Sequence, residues 1–257
     1  MSAYEQWVAY LTLLRREVLR FSRIWMQTIL PPVITTALYF VIFGRLIGSQ
    51  IGDMQGFKYI DYIVPGLIMM AVITNSYANV VSSFYSSKFQ HNIEEMLVSP
   101  TPNYIILLGY ISGGVCRGLS VGLAVTFVAW FFSDLTFNYI SVIVTTVLFT
   151  TILFSLAGLI NGIYAQSFDD ISIIPTFVLT PLTYLGGIFY SIDMLSPFWQ
   201  KLSHLNPILY MVNTFRYGFL GVSDISLIIS YTIIISFIIL LALFALHLLN
   251  KGHGIRT

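Results

Sequence analysis

Residues 86–110 read SSKFQHNIEEMLVSPTPNYIILLGY and place a short polar insert between two long apolar stretches. Residues 87–98 can form about three helical turns before the following prolines stop the helix. Such a helix is either a connector lying on lipid head groups or a docking element for a soluble partner, and the residues alone leave both open. Its apolar side would carry Phe89, Ile93, Met96 and Leu97, and its remaining residues include Lys88, His91, Asn92, Glu94, Glu95, Pro100 and Pro102.

The composition predicts a protein that folds in lipid. Hydrophobic residues make up 57% of the 257 residues and charged residues only 9%, against about 45–50% and 25% in soluble domains. A chain of this length could not hide so much apolar surface from water. The net charge of +1 gives no reason to expect nucleic acid as a partner, whereas membrane lipid is an obligatory one.

Apolar runs set the number of membrane spans, since a helix needs about 20 apolar residues to cross the hydrocarbon core. The fold class we predict is therefore an all-α membrane protein with six transmembrane helices. Residues 193–221 are too apolar for a free loop, yet Pro197, Lys201 and Pro207 interrupt any full span. We expect two short re-entrant helices there, because irregular backbone at membrane depth must be buried in protein. The six predicted spans are 24–44, 62–83, 104–132, 139–162, 171–190 and 226–249.

The N-terminal residues 3–23 have the pattern of an amphipathic helix. Trp7, Leu11, Leu14, Val18 and Phe21 recur at spacings of four and three, as on one face of a helix. Four arginines supply positive charge elsewhere on the segment. This pattern is typical of a helix lying in the membrane interface, and the alternative is a basic flank that only sets the topology.

The distribution of lysine and arginine predicts the orientation. Basic residues near the N-terminus, the polar insert and the C-terminus would share one side, whereas those on the other side are interspersed with aspartates. The positive-inside rule then places both termini and the insert in the cytoplasm. The first group is Arg15, Arg16, Arg20, Arg23, Lys88, Lys251 and Arg256, and the second is Arg45, Lys58, Lys201 and Arg216.

Several chemistries have no counterpart in the sequence. No lysine follows a glycine, so the Gly-Lys-Ser/Thr of a nucleotide-binding P-loop is missing. His91, His204, His247 and His253 lack metal-ligand spacing with cysteines or carboxylates, and no serine sits in a Gly-x-Ser-x-Gly pattern. We therefore predict no catalytic residue, no metal site and no enzymatic activity.

The polar residues expected inside the membrane are candidates for a transport path. Asn75 and Asn79 share one side of the second span with Ser82 and Ser83. Thr176, Thr180 and Thr183 form a stripe on the fifth span. Such residues also serve as ordinary contacts between packed membrane helices, so both interpretations remain open.

Arg117 lies more than a dozen residues into the third apolar run, where an arginine is costly unless it faces protein or water. It would either form a structural contact, with Asp169 and Asp170 as candidate partners, or attract the anionic head group of a substrate. Ion-coupled transport usually needs a carboxylate inside the bilayer. Only Asp61 comes near that position, which disfavours a secondary transporter.

Two segments resemble hallmarks of the ABC-2 type transport permeases. KFQHNIEEMLVSPTPNYIILLGY is similar to the loop after the second span of that family. LSHLNPILYMVNTFRYGFLG is similar to its second hallmark, an Asn-Pro pair followed by an arginine, here Asn206, Pro207 and Arg216. With VPGLIMMAVITNSYANV and SFDDISIIPTFVLTPLTYLGGIFYS, the resemblance covers nearly the whole chain. It extends to bacterial inner-membrane permeases that pair with a separately encoded ATPase.

The resemblance implies a type V ABC transporter fold and a role for the insert. In the family this loop is a coupling helix seated in a cleft of the ATPase, which implies a docking role for residues 87–100. This chain has Asn92-Ile93 where many members have Gly-Thr. The docking residues that carry over are Lys88, His91, Glu94, Glu95, Leu97 and Pro100.

The resemblance also implies the partners of the chain. Two copies of an ATP-binding cassette subunit would dock beneath a homodimer of this chain, and ATP and Mg²⁺ would bind to the partner. The leading hypothesis is thus the permease subunit of an ATP-driven exporter of an amphipathic, lipid-like or polymeric substrate. The rivals are a secondary transporter or channel without an ATPase, and a membrane scaffold protein.

Overall fold

The computed structural model describes residues 1–252, apart from the side chains of Arg45, Ser49 and Leu97. His253 and Arg256, which entered the sequence arguments on metal ligation and orientation, lie outside these residues.

Helices make up most of the described chain. Short π-helical turns interrupt two of the helical runs, at Phe40–Ile47 and Pro175–Leu179. A two-stranded antiparallel hairpin, β1 (Asp53–Met54) and β2 (Phe57–Lys58), precedes the longest helix. The α-helices are α1 (Ala3–Arg23), α2 (Trp25–Thr28), α3 (Leu30–Tyr39), α4 (Gly48–Ile51), α5 (Tyr59–Phe89), α6 (Asn92–Val98), α7 (Asn103–Ala129), α8 (Ile140–Tyr164), α9 (Asp170–Ile174), α10 (Thr180–Tyr184), α11 (Pro197–His204), α12 (Pro207–Leu220) and α13 (Leu227–Lys251).

Helix α5 is the centre of the bundle. Within its most apolar stretch 83% of residues are buried, against 11% in α13 at the periphery. Helices α7, α8 and α12 pack around α5. Small residues allow the closest approaches, and Gly158 of α8 faces the main-chain carbonyl of Tyr77. The core is therefore a set of helices packed against one buried helix, as expected for a helical membrane protein.

Among the described residues, five helical segments are long and apolar enough to cross a membrane: Trp25–Gly44, Tyr59–Phe89, Asn103–Ala129, Ile140–Tyr164 and Leu227–Lys251. They contain most of five of the predicted spans, which confirms an all-α membrane protein. The run predicted at 171–190 is different, because it is helical only from α9 to the end of α10.

The helical run from α9 to α10 is short for a span. Its three elements hold five residues each, which gives about 22 Å against a hydrocarbon core of about 30 Å. The expected helix to residue 190 is wrong, because the chain leaves the helix before two glycines. Gly187 has φ +71°, a left-handed conformation that favours glycine.

Both termini of the described chain lie at the same end of the bundle. The Tyr104 hydroxyl donates to Oε1 of Gln6 at 2.6 Å, and Nδ2 of Asn103 donates to Oδ1 of Asn250 at 2.8 Å. Asn103 and Tyr104 begin α7, directly after α6. We call this the insert end, and the opposite end, which carries β1 and β2, the hairpin end.

The short run from α9 to α10 carries the chain from the insert end to the hairpin end. Asn161, near the end of α8, donates to the carbonyl of Ile171 at 3.4 Å. Beyond α10, the carbonyl of Phe189 accepts from the hydroxyl of Tyr59, the first residue of α5. Together with the five longer segments, six helical runs of the described residues therefore extend between the two ends.

Helix α1 occupies residues 3–23, the range predicted for the N-terminal helix. Ser2 and Glu5 form a reciprocal capping box at its start. Along its length α1 packs against the first half of α7, and a Cβ on Gly113 would lie only 2.5 Å from the Cβ of Glu17. Glycine in α7 thus brings α1 close to the bundle.

The region between the last two helical runs contains a 3₁₀ turn, Ile192–Met194, and two short α-helices, α11 and α12. Helix α11 leaves Phe198 and Trp199 exposed, whereas α12 is largely buried against α5, α8 and α13. The amide of Tyr139 donates to the carbonyl of Gly218 at 2.9 Å, which ties α12 to the start of α8. Both ends of this contact lie at the hairpin end.

Gly158→Ala tests the packing of α8 on α5. A Cβ at this position would lie 2.6 Å from the carbonyl oxygen of Tyr77, and main chain cannot move aside cheaply. We expect the free energy of unfolding to fall by about 1–3 kcal/mol, measured by thermal denaturation of the purified protein. Gly162→Ala is the matched control, since its Cβ would come no closer than 3.2 Å to a neighbouring atom, a side-chain atom of Phe84, and would lie 3.4 Å from the carbonyl oxygen of Val81. Equal losses in both variants would contradict this packing.

Candidate functional site

The polar insert is built from two helices rather than one. Helix α5 continues to Phe89, and α6 begins at Asn92 after a break at His91, whose φ is +60°. The expected single helix over residues 87–98 is therefore wrong, because a left-handed residue reorients the chain. Phe89 consequently does not share the apolar face of α6. It remains 62% exposed and its ring lies 5.2 Å from that of Phe168.

Helix α6 is anchored by one fully buried side chain. Ile93 is 0% exposed and packs in a cluster that includes Phe84 and Ile106. Glu95 is exposed, and Glu94 is half-exposed with its Oε1 3.0 Å from Nδ1 of His91. Anchored by Ile93, α6 therefore presents the carboxylates of Glu94 and Glu95 outward at the insert end.

The other predicted docking residues have different roles. Nζ of Lys88 donates to the carbonyls of Ile163 and Ala165 at 2.9 and 2.8 Å. Lys88 thus satisfies carbonyls at the C-terminus of α8, where a cation is favourable, and is not free for a partner. Pro100 is exposed after α6, and Leu97 lies in α6 with its side chain outside the described structure.

A buried charge cluster joins α1 to α5. Glu17 is 1% exposed and lies 3.2 Å from Arg16, 3.4 Å from Arg20 and 2.8 Å from the donating hydroxyl of Ser83. Burial would lower the pKa of Arg16, but the neighbouring Tyr110 hydroxyl and the Glu17 carboxylate raise it above its ordinary value. The sequence alone did not predict this cluster, although one acidic residue among the arginines of α1 was a signal.

Asn79 belongs to this cluster rather than standing alone on the second span. Nη2 of Arg20 donates to Oδ1 of Asn79 at 2.8 Å and to its carbonyl at 2.9 Å. Ser82 instead donates to the carbonyl of Ala78 in its own helix. Of the polar residues predicted to share one side of α5, Asn79 therefore contacts α1, whereas Ser82 bonds within its own helix.

Arg117 of α7 is half-buried and has few partners. Its Nη2 donates to Oδ1 of Asn75 at 3.1 Å and to the carbonyl of Thr28 at 3.5 Å. Within residues 1–252 Arg117 forms no ion pair within 4 Å, and its Nε is buried without a hydrogen bond. Neither candidate partner, Asp169 or Asp170, forms an ion pair with it, and the Asp170 carboxylate accepts from backbone amides of its own loop.

A cavity of about 360 Å³ opens beside Arg117 and Asn75. Span residues Trp25–Gly44 contribute its other wall, which includes Gln27 and Thr35. An uncompensated guanidinium next to such a cavity can interact with an anionic group at membrane depth.

Arg216 contrasts with Arg117, because its donors are taken up by the protein. Nη2 donates to the carbonyl of Gly187 at 2.6 Å, while Nε and Nη1 donate to the carbonyl and hydroxyl of Tyr62 at 3.2 and 3.0 Å. The guanidinium also lies 3.9 Å above the Tyr62 ring, a favourable cation–π distance. Arg216 is 3% exposed and acts as a structural clamp.

Asn206 and Pro207 begin α12 beside this clamp. Oδ1 of Asn206 accepts from the amide of Ile208 at 3.0 Å, and its Nδ2 donates to the carbonyl of Leu182 at 2.6 Å. Pro207 occupies the first helical position, where its missing amide costs nothing. These two residues therefore cap α12 and satisfy a carbonyl of α10.

The threonines of the fifth helical run do not share one environment. Thr176 and Thr180 are exposed, whereas Thr183 is buried and donates to the carbonyl of Thr180 at 2.7 Å. The π-helical turn between α9 and α10 shifts the register of the predicted stripe. Among the described residues, no group of three His, Cys, Asp or Glu side chains is placed to hold a metal.

These features define a class: a polytopic, helical membrane protein with an unpaired arginine beside an internal cavity and an exposed helix at one end. Residues 8–220 match the family model described as "ABC-2 type transporter". The chain belongs to the ABC-2 type transporter family, as its resemblance predicted, and is a transport permease.

Individual relatives agree with the family. The chain is 56% identical over 251 residues to "Inner membrane transport permease YadH" of Escherichia coli, covering 98% of both chains. It is 22% identical over 224 residues to "Nodulation protein J" of Neorhizobium galegae, covering 86% of this chain and 84% of the relative. The match to "Nodulation protein J" of Sinorhizobium fredii is 23% over 182 residues, 70% of this chain and 69% of the relative.

Arg216→Lys tests the clamp. A lysine has no planar fork and cannot serve the Gly187 carbonyl and both Tyr62 oxygens together, so buried acceptors lose their donors. We expect a loss of about 2–3 kcal/mol in the free energy of unfolding, measured by thermal denaturation in detergent. Arg117→Lys is the control, because few hydrogen bonds are lost there. A greater loss in the Arg117 variant would contradict the assignment of the structural role.

Proposed function

We propose that the chain is the transmembrane permease subunit of an ATP-driven ABC exporter in the bacterial inner membrane. The observation that carries this proposal is α6, a separate helix anchored by Ile93 that presents Glu94 and Glu95 at the insert end. Membership of the ABC-2 type transporter family supports it, as does the printed name of the relative "Inner membrane transport permease YadH".

The proposed topology has six membrane crossings. The run from α9 to α10 supplies the crossing beyond the five longer segments, and the short helices α11 and α12 return from the hairpin end. An even number of crossings puts both termini on one side, in agreement with their contacts at the start of α7. The positive-inside rule makes that side the cytoplasm, and α1 then lies in the cytoplasmic interface.

The proposed partner is an ATP-binding cassette subunit that holds ATP and Mg²⁺. It would dock on α6 through Glu94 and Glu95, with His91, Leu97 and Pro100 nearby. Lys88 would act inside the permease, because it ties α5 to the end of α8. Movement of the docked insert would thereby reach the loop that leads into α9.

Two copies of the chain, with two ATPases, form the proposed exporter. A single bundle leaves the first span open, with only 17% of its apolar stretch buried, and exposes Thr176 and Thr180 of the fifth run. A closed homodimer would cover such faces and enclose a pathway between the copies. Path residues in this proposal are Asn75, Asn79, Arg117, Thr176, Thr180 and Thr183.

The proposed substrate is amphipathic, lipid-like or polymeric, and Arg117 beside its cavity favours one with an anionic group. Glu17 is a buried carboxylate of the kind that an ion-coupled transporter would use. It is ion-paired with Arg16 and Arg20 of α1, a helix that lies outside the proposed membrane crossings. A membrane scaffold protein would have no use for an uncompensated internal arginine. Neither a secondary transporter nor a membrane scaffold protein therefore accounts for the site as well as an exporter does.

Glu94→Lys combined with Glu95→Lys tests the docking surface. Charge reversal on exposed side chains leaves the Ile93 anchor intact, so the protein should still insert into the membrane but lose its ATPase. The measurement is co-purification of a P-loop protein with the tagged chain, followed by ATP hydrolysis. We expect binding to fall at least tenfold, about 1.4 kcal/mol.

The matched control reverses two exposed carboxylates at the opposite end, Asp134→Lys with Asp193→Lys. This pair should retain the ATPase, because the hairpin end faces away from the cytoplasm in the proposed topology. Unchanged ATPase binding in the Glu94 and Glu95 variant would overturn docking through these residues. Failure of any ATPase to co-purify with the unmodified chain would favour the rival functions.

A further inference from the structure

A cavity of about 530 Å³ lies at the insert end between α1, the last turns of α5 and the start of α6. This volume is in the range of ligand-binding cavities. Arg16, Arg20 and Arg23 line it from α1, and Ser86 and Ser87 line it from α5. It is separate from the cavity beside Arg117, with which it shares no lining residue.

The lining of this cavity carries an excess of positive charge. Among the described residues that line it, Glu17 is the sole carboxylate. It lies against Arg16 and Arg20, so three guanidiniums face one carboxylate and leave a net charge of +2. The side chain of Arg23 forms no hydrogen bond or ion pair with any residue of the described chain. An exposed and unpaired guanidinium at the mouth of a basic cavity is available to a ligand.

We propose that this cavity binds a phosphoryl group, with Arg23 and Arg20 as its main ligands and Ser86 as a hydroxyl donor. Guanidinium groups form paired, charge-assisted hydrogen bonds with phosphate oxygens. The negative charge of the ligand offsets the excess that Glu17 leaves uncompensated. Arg20 is also held in place by Asn79, which orients its side chain before the ligand arrives.

The position of the cavity suits the head group of an amphipathic molecule. Leu19 and Ile24 supply apolar surface at its edge, and the first apolar span begins at Trp25. A head group can therefore bind the arginines while its acyl chains remain beside the span. Asn92, the first residue of α6, lines the same cavity, so the bound group would touch the insert.

The contact of the bound group with Asn92 would link the cavity to the docking helix α6. This role of the cavity rests on the proposed function. A phosphoryl head group that contacts both α1 and the insert would report its presence to the docked ATPase. The binding itself does not depend on export and is tested on the permease alone.

The test measures lipid retained by the purified full-length chain. Nanodiscs contain phosphatidylcholine and phosphatidylglycerol in equal amounts, and the lipids that remain after release are counted by native mass spectrometry. The unmodified chain should retain phosphatidylglycerol in preference to phosphatidylcholine. Arg23→Gln should reduce that preference about fivefold, the effect of one basic residue at an anionic membrane surface. Because the Arg23 side chain has no hydrogen bond or ion pair to lose, the variant should fold as the unmodified chain does, which thermal denaturation verifies.

Arg15→Gln is the matched control, since Arg15 is an exposed arginine on the same helix that does not line the cavity. It should retain the lipid as the unmodified chain does. Equal retention by the Arg23 variant, an equal loss in the Arg15 variant, or no preference for phosphatidylglycerol would overturn the proposal. The second result would mean that α1 attracts anionic lipid through its overall charge.

A second arm distinguishes the source of the phosphoryl group. Inorganic phosphate is added to the detergent-solubilised chain before the lipids are counted. Displacement of phosphatidylglycerol, weakened by Arg23→Gln, means that the cavity recognises the phosphate ion itself, whereas retention means that it needs the lipid head group.

ATPase co-purification is followed on the same samples. Loss of the ATPase from the unmodified chain with the Arg23 effect unchanged would remove the proposed function and leave the cavity assignment standing.

Discussion

The buried Arg216 holds the chain where it must turn back at the hairpin end. At membrane depth every backbone polar group needs a partner within the protein. After α10 the chain leaves its helix, and Arg216 takes up the carbonyl of Gly187 while Asn206 takes up that of Leu182. These contacts permit a non-helical turn beside α5, to which Arg216 is also bonded through Tyr62.

The topology follows from that turn. Because α11 and α12 stay at the hairpin end, the chain between α8 and α13 makes one net passage, and both termini share the insert end. That end then carries the carboxylates of α6, the arginines of α1 and the C-terminal end of α13. Lys88 and the buried Glu17 connect these elements to the helices of the bundle.

Composition and apolar spacing predicted α1, five spans and the position of the insert. Contacts between distant segments were not predictable in the same way. Glu17 is buried because glycines of α7 admit α1, and Lys88 finds its acceptors 75 and 77 residues away. The break at His91 had no glycine to signal a left-handed residue. Arg117 was placed correctly in the third predicted span, which is α7. Its lack of an acidic partner could be seen only from the packing of the helices.

In the proposed topology, α6 and both ends of the described chain face the cytoplasm, and α11 lies on the opposite side. Single cysteines introduced in a Cys116→Ala background, at Ser2→Cys, Glu95→Cys and Lys201→Cys, test this with a membrane-impermeant thiol reagent on intact cells. We expect that only the Lys201 variant is labelled before permeabilisation, and that the Ser2 and Glu95 variants are labelled after it. Labelling of the Glu95 variant from outside, or of Ser2 and Lys201 variants from the same side, would contradict it.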